Sequence, residues 1–93
     1  MFTFRLCGVE VTRTWIGRQV MDAITALDVK ITDYQKRCNM YRNYWGSGEG
    51  YAEMSEIVGE LKFMYLSGVL RQAEYRKILG RVTGEILDDN MRR

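Results

Sequence analysis

The chain has 93 residues, 46% of them hydrophobic, and its 14 basic and 12 acidic side chains leave a formal charge of +2. That length serves one domain with a thin core, and a charge so close to balance is too small to be a nucleic-acid footprint by itself. Histidine is absent, and the two cysteines, Cys7 and Cys38, lie far apart, which removes the common zinc sites, the usual general base and a redox pair.

In chain order, residues 2–6 (FTFRL) and 9–12 (VEVT) alternate apolar and polar side chains around Cys7-Gly8. This is the pattern of a two-residue β-hairpin. In that register Leu6 faces Val9 and Phe4 faces Val11, so the large apolar groups share one side. A lone ribbon of two strands is marginal in water and must pack on helices or pair with another chain.

From Thr14 to Trp45 the period changes. Apolar groups fall at Ile16, Val20, Ile24, Leu27, Ile31, Tyr34, Cys38, Tyr41 and Trp45, in steps of three and four. The spacing predicts one long helix over residues 14–45, capped by Thr12 or Thr14. About 30 residues at 1.5 Å each gives roughly 45 Å, longer than so small a domain needs. The rod is expected either to kink near Val29–Thr32 or to carry its seam into a partner chain. Gly46–Gly50 then breaks the pattern. A second helix is predicted over 51–67 with a buried stripe of Met54, Ile57, Val58, Leu61, Met64 and Tyr65, ending at Gly68. A third is predicted over 71–89, with Tyr75, Ile78, Leu79, Val82, Ile86 and Leu87 inward. Gly80 and Gly84, four apart, mark a smooth strip where another helix could approach. The fold class expected is mainly α: a short N-terminal β-hairpin, one long helix and an antiparallel helical hairpin in a single domain, residues 1–93. No stretch approaches 18 consecutive apolar residues, and Met1–Gly8 is too short for a signal peptide. A cytoplasmic setting with reduced thiols is the expectation.

The stretch YRNYWGSGEGYAE, residues 41–53, raises the main functional question. Gly46-Ser47-Gly48-Glu49-Gly50 has the glycines of a phosphate-cradling loop, but no Gly-Lys-Ser/Thr follows and Glu49 puts an anion where the phosphate would sit. The plainer interpretation is a bend between two helices. Before it, Tyr34, Tyr41, Tyr44 and Trp45 are interleaved with Lys36, Arg37 and Arg42. Such groups stack on bases or nucleotides and also anchor protein interfaces. Spacing assigns Tyr34, Tyr41 and Trp45 to the core and leaves Tyr44 exposed. As a partner surface the candidate residues are Arg37, Tyr41, Arg42, Tyr44, Trp45 and Glu49.

Two charge patterns offer alternatives. Arg71, Arg76, Lys77 and Arg81 give helix three a basic face for nucleic-acid phosphates, interrupted by Glu74 and Glu85. Helices two and three also have the look of a helix-turn-helix, although a long helix with a ribbon before it fits that motif badly. Glu49, Glu53, Glu56 and Glu60 fall on one side of helix two, opposite its apolar stripe, as a solvated face or a mimic of nucleic-acid charge. No catalytic residue, metal ligand or cofactor site is assigned, because nothing activates either cysteine and no carboxylate pair stands out.

Residues 60–79, ELKFMYLSGVLRQAEYRKIL, resemble SHOCT-type helical hairpins, in which a helix ends at glycine, a hydrophobic pair follows and a new helix opens with an acidic-aromatic step. Arg71 stands where a typical member has a Thr or Ser cap. The resemblance implies a helical hairpin involved in association, and no activity. In size, Met and Tyr content and lack of catalytic residues, the whole chain is similar in style to small phage-encoded inhibitors of host factors, including anti-CRISPR proteins. That likeness implies a non-enzymatic protein that binds and inhibits a host defence factor in the host cytoplasm, as a homodimer or larger oligomer. The alternatives are a nucleic-acid-binding regulatory module and an oligomeric sponge for a nucleotide messenger at the Tyr41–Trp45 cluster. None of these readings involves a membrane.

Overall fold

A computed structural model describes the backbone of residues 1–91 and the side chains of residues 1–83. Two strands, β1 (Phe2–Leu6) and β2 (Val9–Arg13), are followed by α1 (Arg18–Met40), a single 3-10 turn (Tyr44–Gly46), α2 (Gly48–Leu66) and α3 (Gln72–Met91). The protein is mainly α, with an N-terminal antiparallel hairpin, as the periodicities predict.

The hairpin adopts the expected register, Leu6 opposite Val9 and Phe4 opposite Val11. Phe4, Leu6, Val9 and Val11 are all buried, while Arg5 and Glu10 face each other outside at 4.0 Å. The turn residues Cys7 and Gly8 have φ of 51° and 78°, the pair of left-handed conformations that suits the twist of a two-residue hairpin. The surroundings hold that turn in place. The Cys7 amide donates to Asp28 Oδ1 of α1 at 3.2 Å, Gln35 Nε2 donates to the Cys7 sulfur at 3.3 Å, and Arg81 Nη1 of α3 donates to the Cys7 carbonyl at 3.2 Å. β1 lies against α1 and β2 against α3, so the ribbon finds its cover within the chain.

α1 differs from the predicted rod of residues 14–45 at both ends. It starts at Arg18 behind an extended Gly17 whose lack of a side chain leaves no side-chain cap. Thr12 cannot cap it because it belongs to β2, where its hydroxyl meets Thr3 Oγ1 at 3.2 Å. The β-branched run Val29–Thr32 stays within the helix, and Thr25 and Thr32 satisfy their hydroxyls on the carbonyls four residues back. The helix stops at Met40, and Tyr41 is extended. At 23 residues it is about 35 Å long, which removes the argument for a partner chain based on an overlong helix. The buried seam is Ile24, Leu27, Ile31 and Tyr34, with Ile16 closing its start.

α2 begins earlier than the predicted residue 51, and Gly48 and Gly50 lie in its first turn. Ser47 is the N-cap, its Oγ accepting from the Gly50 amide at 3.0 Å and donating to the Tyr44 carbonyl at 2.6 Å. Ile57, Leu61 and Met64 of α2 join Ile78 and Val82 of α3 in one buried cluster, and the rings of Tyr65 and Tyr75 stack at 4.9 Å. Gly68, φ 86°, ends α2 as predicted. Its amide donates to Tyr65 O and that of Val69 to Met64 O, the paired bonds of a Schellman motif. At the start of α3, Glu74 replaces the missing cap: its Oε1 accepts the Arg71 amide at 2.8 Å, the reciprocal half of a capping box. The same carboxylate takes two hydrogen bonds from the Arg13 guanidinium, one of them at 3.1 Å, and so ties the ribbon to α3. Among the described residues no heavy atom comes within 4 Å of a Cβ built at Gly80, so none of them makes the close helix approach expected there. The Gly84, Glu85, Ile86 and Leu87 side chains lie outside the described residues.

Candidate partner-binding surface

Tyr41 to Ser47 carries the chain from α1 to α2, and this junction holds most of the predicted partner residues. Asn43 sits in the left-handed region, φ 61°, which asparagine tolerates better than most residues. It turns the chain into the 3-10 segment, and that folds Tyr44 back over α2.

Glu53 is the centre of the junction. Its side chain is only 13% exposed. It accepts from Arg37 Nη2 at 2.6 Å, from Arg37 Nε at 3.3 Å and from the Tyr44 hydroxyl at 2.6 Å. The carboxylate thus pins the last turn of α1 and the linker to the second turn of α2. The hydrogen bond to Glu53 holds the Arg37 guanidinium charged. The hydrogen bond that the Tyr44 phenol donates to the same carboxylate pushes the phenol up, since ionisation would lose that bond and place two anions together. Beneath them, burial pushes up the Tyr34 phenol and the Cys38 thiol. Among the described residues the fully buried Tyr34 hydroxyl has no partner at hydrogen-bonding geometry; the thiol of Cys38 beside it is a weak one. The Tyr44 ring lies 6.2 Å from that of Tyr34 and 6.3 Å from that of Tyr41.

The sidedness expected from spacing is inverted at two positions. Tyr44 is half-buried and Tyr41 is exposed, because α1 ends before Tyr41 and its seam stops with it. Trp45 is also half-buried, and Arg42 and Glu49 are exposed. Met40 and Tyr51, which the sequence did not single out, join Tyr41 as large side chains more than half exposed at this end. Ser47 followed by Glu49 in a first turn is a helix-start signal that would have located α2, and with it Tyr51, correctly.

The loop's own amides are largely spent. Those of Gly46, Ser47, Gly50 and Tyr51 donate to Asn43 O, Tyr44 O, Ser47 Oγ and Ser47 O. Gly50 is needed for packing: a Cβ there would lie 1.8 Å from the Tyr44 carbonyl oxygen. The sites at Gly46 and Gly48 are open.

The acidic row of α2 is solvated as expected at Glu49, Glu56 and Glu60, all exposed, and departs from that expectation at Glu53 alone. Glu53 turns inward, and Glu56 and Glu60 reach Lys30 of α1 at 3.7 and 3.6 Å. Among the basic candidates, Arg71, Arg76 and Lys77 are exposed, whereas Arg81 engages the hairpin turn. Among the described residues no three His, Cys, Asp or Glu side chains form a group able to hold a metal ion, and no helix is long and apolar enough to cross a membrane. With its lone pairs shared between Arg37 and Tyr44, Glu53 is placed to anchor rather than to accept a substrate proton. No protein-family model, curated protein or solved structure matches the chain.

Proposed function

We propose that this chain is a non-enzymatic interaction protein that contacts a protein partner through the α1–α2 junction. The observation that supports this most is the pairing of exposure with order. Met40, Tyr41 and Tyr51 stand out into solvent on a connection whose base is fixed by the Glu53–Arg37–Tyr44 hydrogen bonds. Aromatic groups held in place before binding lose little freedom on contact and make effective anchors. Arg42 and Glu49, both exposed, supply opposite charges at its rim for orientation.

In its finer form the proposal takes the partner to be a host defence factor, blocked stoichiometrically by occupation of its surface, in keeping with the likeness to small phage-encoded inhibitors. Tagged protein incubated with host lysate then retains one partner in equimolar amount, and nuclease treatment does not release it. Tyr41→Ser with Tyr51→Ser abolishes retention while the melting temperature stays unchanged. Retention that vanishes with nuclease and falls steeply with salt would instead assign the chain to nucleic acid.

A further inference from the structure

The hairpin turn, α1 and α3 frame a polar cleft of about 430 Å³, a volume in the range of small-molecule sites. We infer that it binds a free acidic amino acid, with the ammonium group on α1 and the two carboxylates on Arg5 and Arg81. The cleft is organised by one residue of the turn. The Cys7 amide donates to Asp28 Oδ1 at 3.2 Å, and the Cys7 carbonyl accepts from Arg81 Nη1 at 3.2 Å. A carboxylate and a guanidinium are thereby tethered at fixed places beside the same gap. Among the described residues Asp28 closes no ion pair with Arg5 or Arg81, and Arg5 meets Glu10 at 4.0 Å with both side chains mostly exposed. Gly8 is part of the arrangement. A Cβ there would lie 2.7 Å from Arg81 Nη1, so the bare turn is what admits the guanidinium.

The distribution of donors and acceptors selects the ligand. Asp28, Thr32 and Gln35 line the cleft from one face of α1, since steps of four and three return to the same side of a helix. Asp28 spends Oδ1 on the turn and keeps Oδ2. Thr32 Oγ1 gives its proton to the Asp28 carbonyl at 2.9 Å, and Gln35 Nε2 donates to the Cys7 sulfur at 3.3 Å. Their hydroxyl and amide oxygens remain as acceptors. Three acceptors, one of them charged, match the three N–H bonds of an ammonium group. Arg5 and Arg81 line the other walls and carry donors only, in a fork that fits carboxylates. Two cations and one anion in the lining call for two anions and one cation in the ligand, which is the charge pattern of aspartate or glutamate. A simple anion would face Asp28 unfavourably, and an amino acid with one carboxylate would leave a guanidinium unused. The inference is independent of the α1–α2 junction, none of whose residues lines the cleft.

Amide NMR titration of the whole chain with L-glutamate and with L-aspartate tests it. Saturable shifts at Cys7, Gly8, Asp28 and Arg81 are expected with at least one of the two, with dissociation at about 0.1–1 mM for an open, partly solvated site. Glutarate keeps both carboxylates and lacks the amine; L-glutamine lacks the second carboxylate. Each binds at least about fivefold more weakly. Asp28→Asn keeps an oxygen for the Cys7 amide, so Tm holds, and it weakens the amino acid about tenfold without weakening glutarate. Arg5→Gln, which leaves the turn untouched, and Arg81→Gln, which keeps a donor for the Cys7 carbonyl, weaken both. No saturable shift at about 20 mM of either amino acid overturns the inference. So does glutarate or sulfate binding as tightly as the amino acid, which would mark a general anion patch, or an Asp28→Asn variant that binds the amino acid as wild type does.

Discussion

Replacing Glu74 removes a single carboxylate that serves two elements, and the cost follows from its surroundings. The Arg13 and Glu74 side chains are 16% and 22% exposed, shielded enough that two guanidinium–carboxylate hydrogen bonds are worth about 1.5–3 kcal/mol together. Loss of the bond to the Arg71 amide adds about 0.5–1 kcal/mol. Rehydration of the freed Arg13 returns part of this, so Glu74→Ala costs about 2–3 kcal/mol, or roughly 10–20 °C in Tm for a chain of this size. Glu74→Gln keeps an acceptor for the amide and loses the charge, for about half that. Urea unfolding followed by circular dichroism supplies the values, and a double-mutant cycle with Arg13→Gln isolates a coupling of about 1–2 kcal/mol. The hydrogen bonds from Arg13 hold the Glu74 carboxyl below its ordinary range. A lowered folded pKa means stability present above the unfolded value and lost as pH falls through the folded one. Wild type therefore loses stability below about pH 4.5, and Glu74→Gln flattens that fall. A cost under about 0.5 kcal/mol, or no coupling to Arg13, would refute the claim that this pair fastens the ribbon to α3.

Three further outcomes are expected. Gly50→Ala drives a methyl group into the Tyr44 carbonyl and costs about 2–3 kcal/mol, whereas Gly48→Ala, with open space, is stabilising by about 0.5 kcal/mol; thermal melts of the two variants settle the contrast. Tyr34→Phe deletes a buried hydroxyl held only weakly, by the Cys38 thiol, and leaves Tm unchanged or a few degrees higher, while Tyr34→Ala costs about 3–5 kcal/mol. Burial raises the Tyr34 phenol and the Cys38 thiol, and the bond to Glu53 raises the Tyr44 phenol. Raised folded values mean stability that is full below the ordinary thiol and phenol range and is lost as pH climbs through them. A spectrophotometric titration should show unfolding above about pH 10 and late ionisation of Tyr34.

How far the sequence could be read follows the kind of signal each part carries. The hairpin was legible because strict alternation admits only one register that buries Phe4, Leu6, Val9 and Val11 together. The centre of α1 was legible for the same reason at helical period. Its end was not, because Tyr41 and Trp45 continue the spacing although the backbone has already turned at Tyr41 and Asn43. What halts the helix is the set of partners waiting on α2, chiefly Glu53, and contacts distant in sequence leave no mark on periodicity. The same limit hid Glu74. Its place three residues after Arg71 fits a capping box, but the link to Arg13 spans 61 residues and belongs to the tertiary fold alone.

The account stands most directly on one measurement: quantitative capture from host lysate by wild type, by the Tyr41→Ser, Tyr51→Ser double variant and by Phe63→Ser as an exposed control, each after nuclease digestion. An equimolar protein partner held by wild type and Phe63→Ser but lost from the tyrosine variant is the predicted result. Equal retention by the tyrosine variant, or no retention once nucleic acid is removed, would contradict a protein contact at the α1–α2 junction.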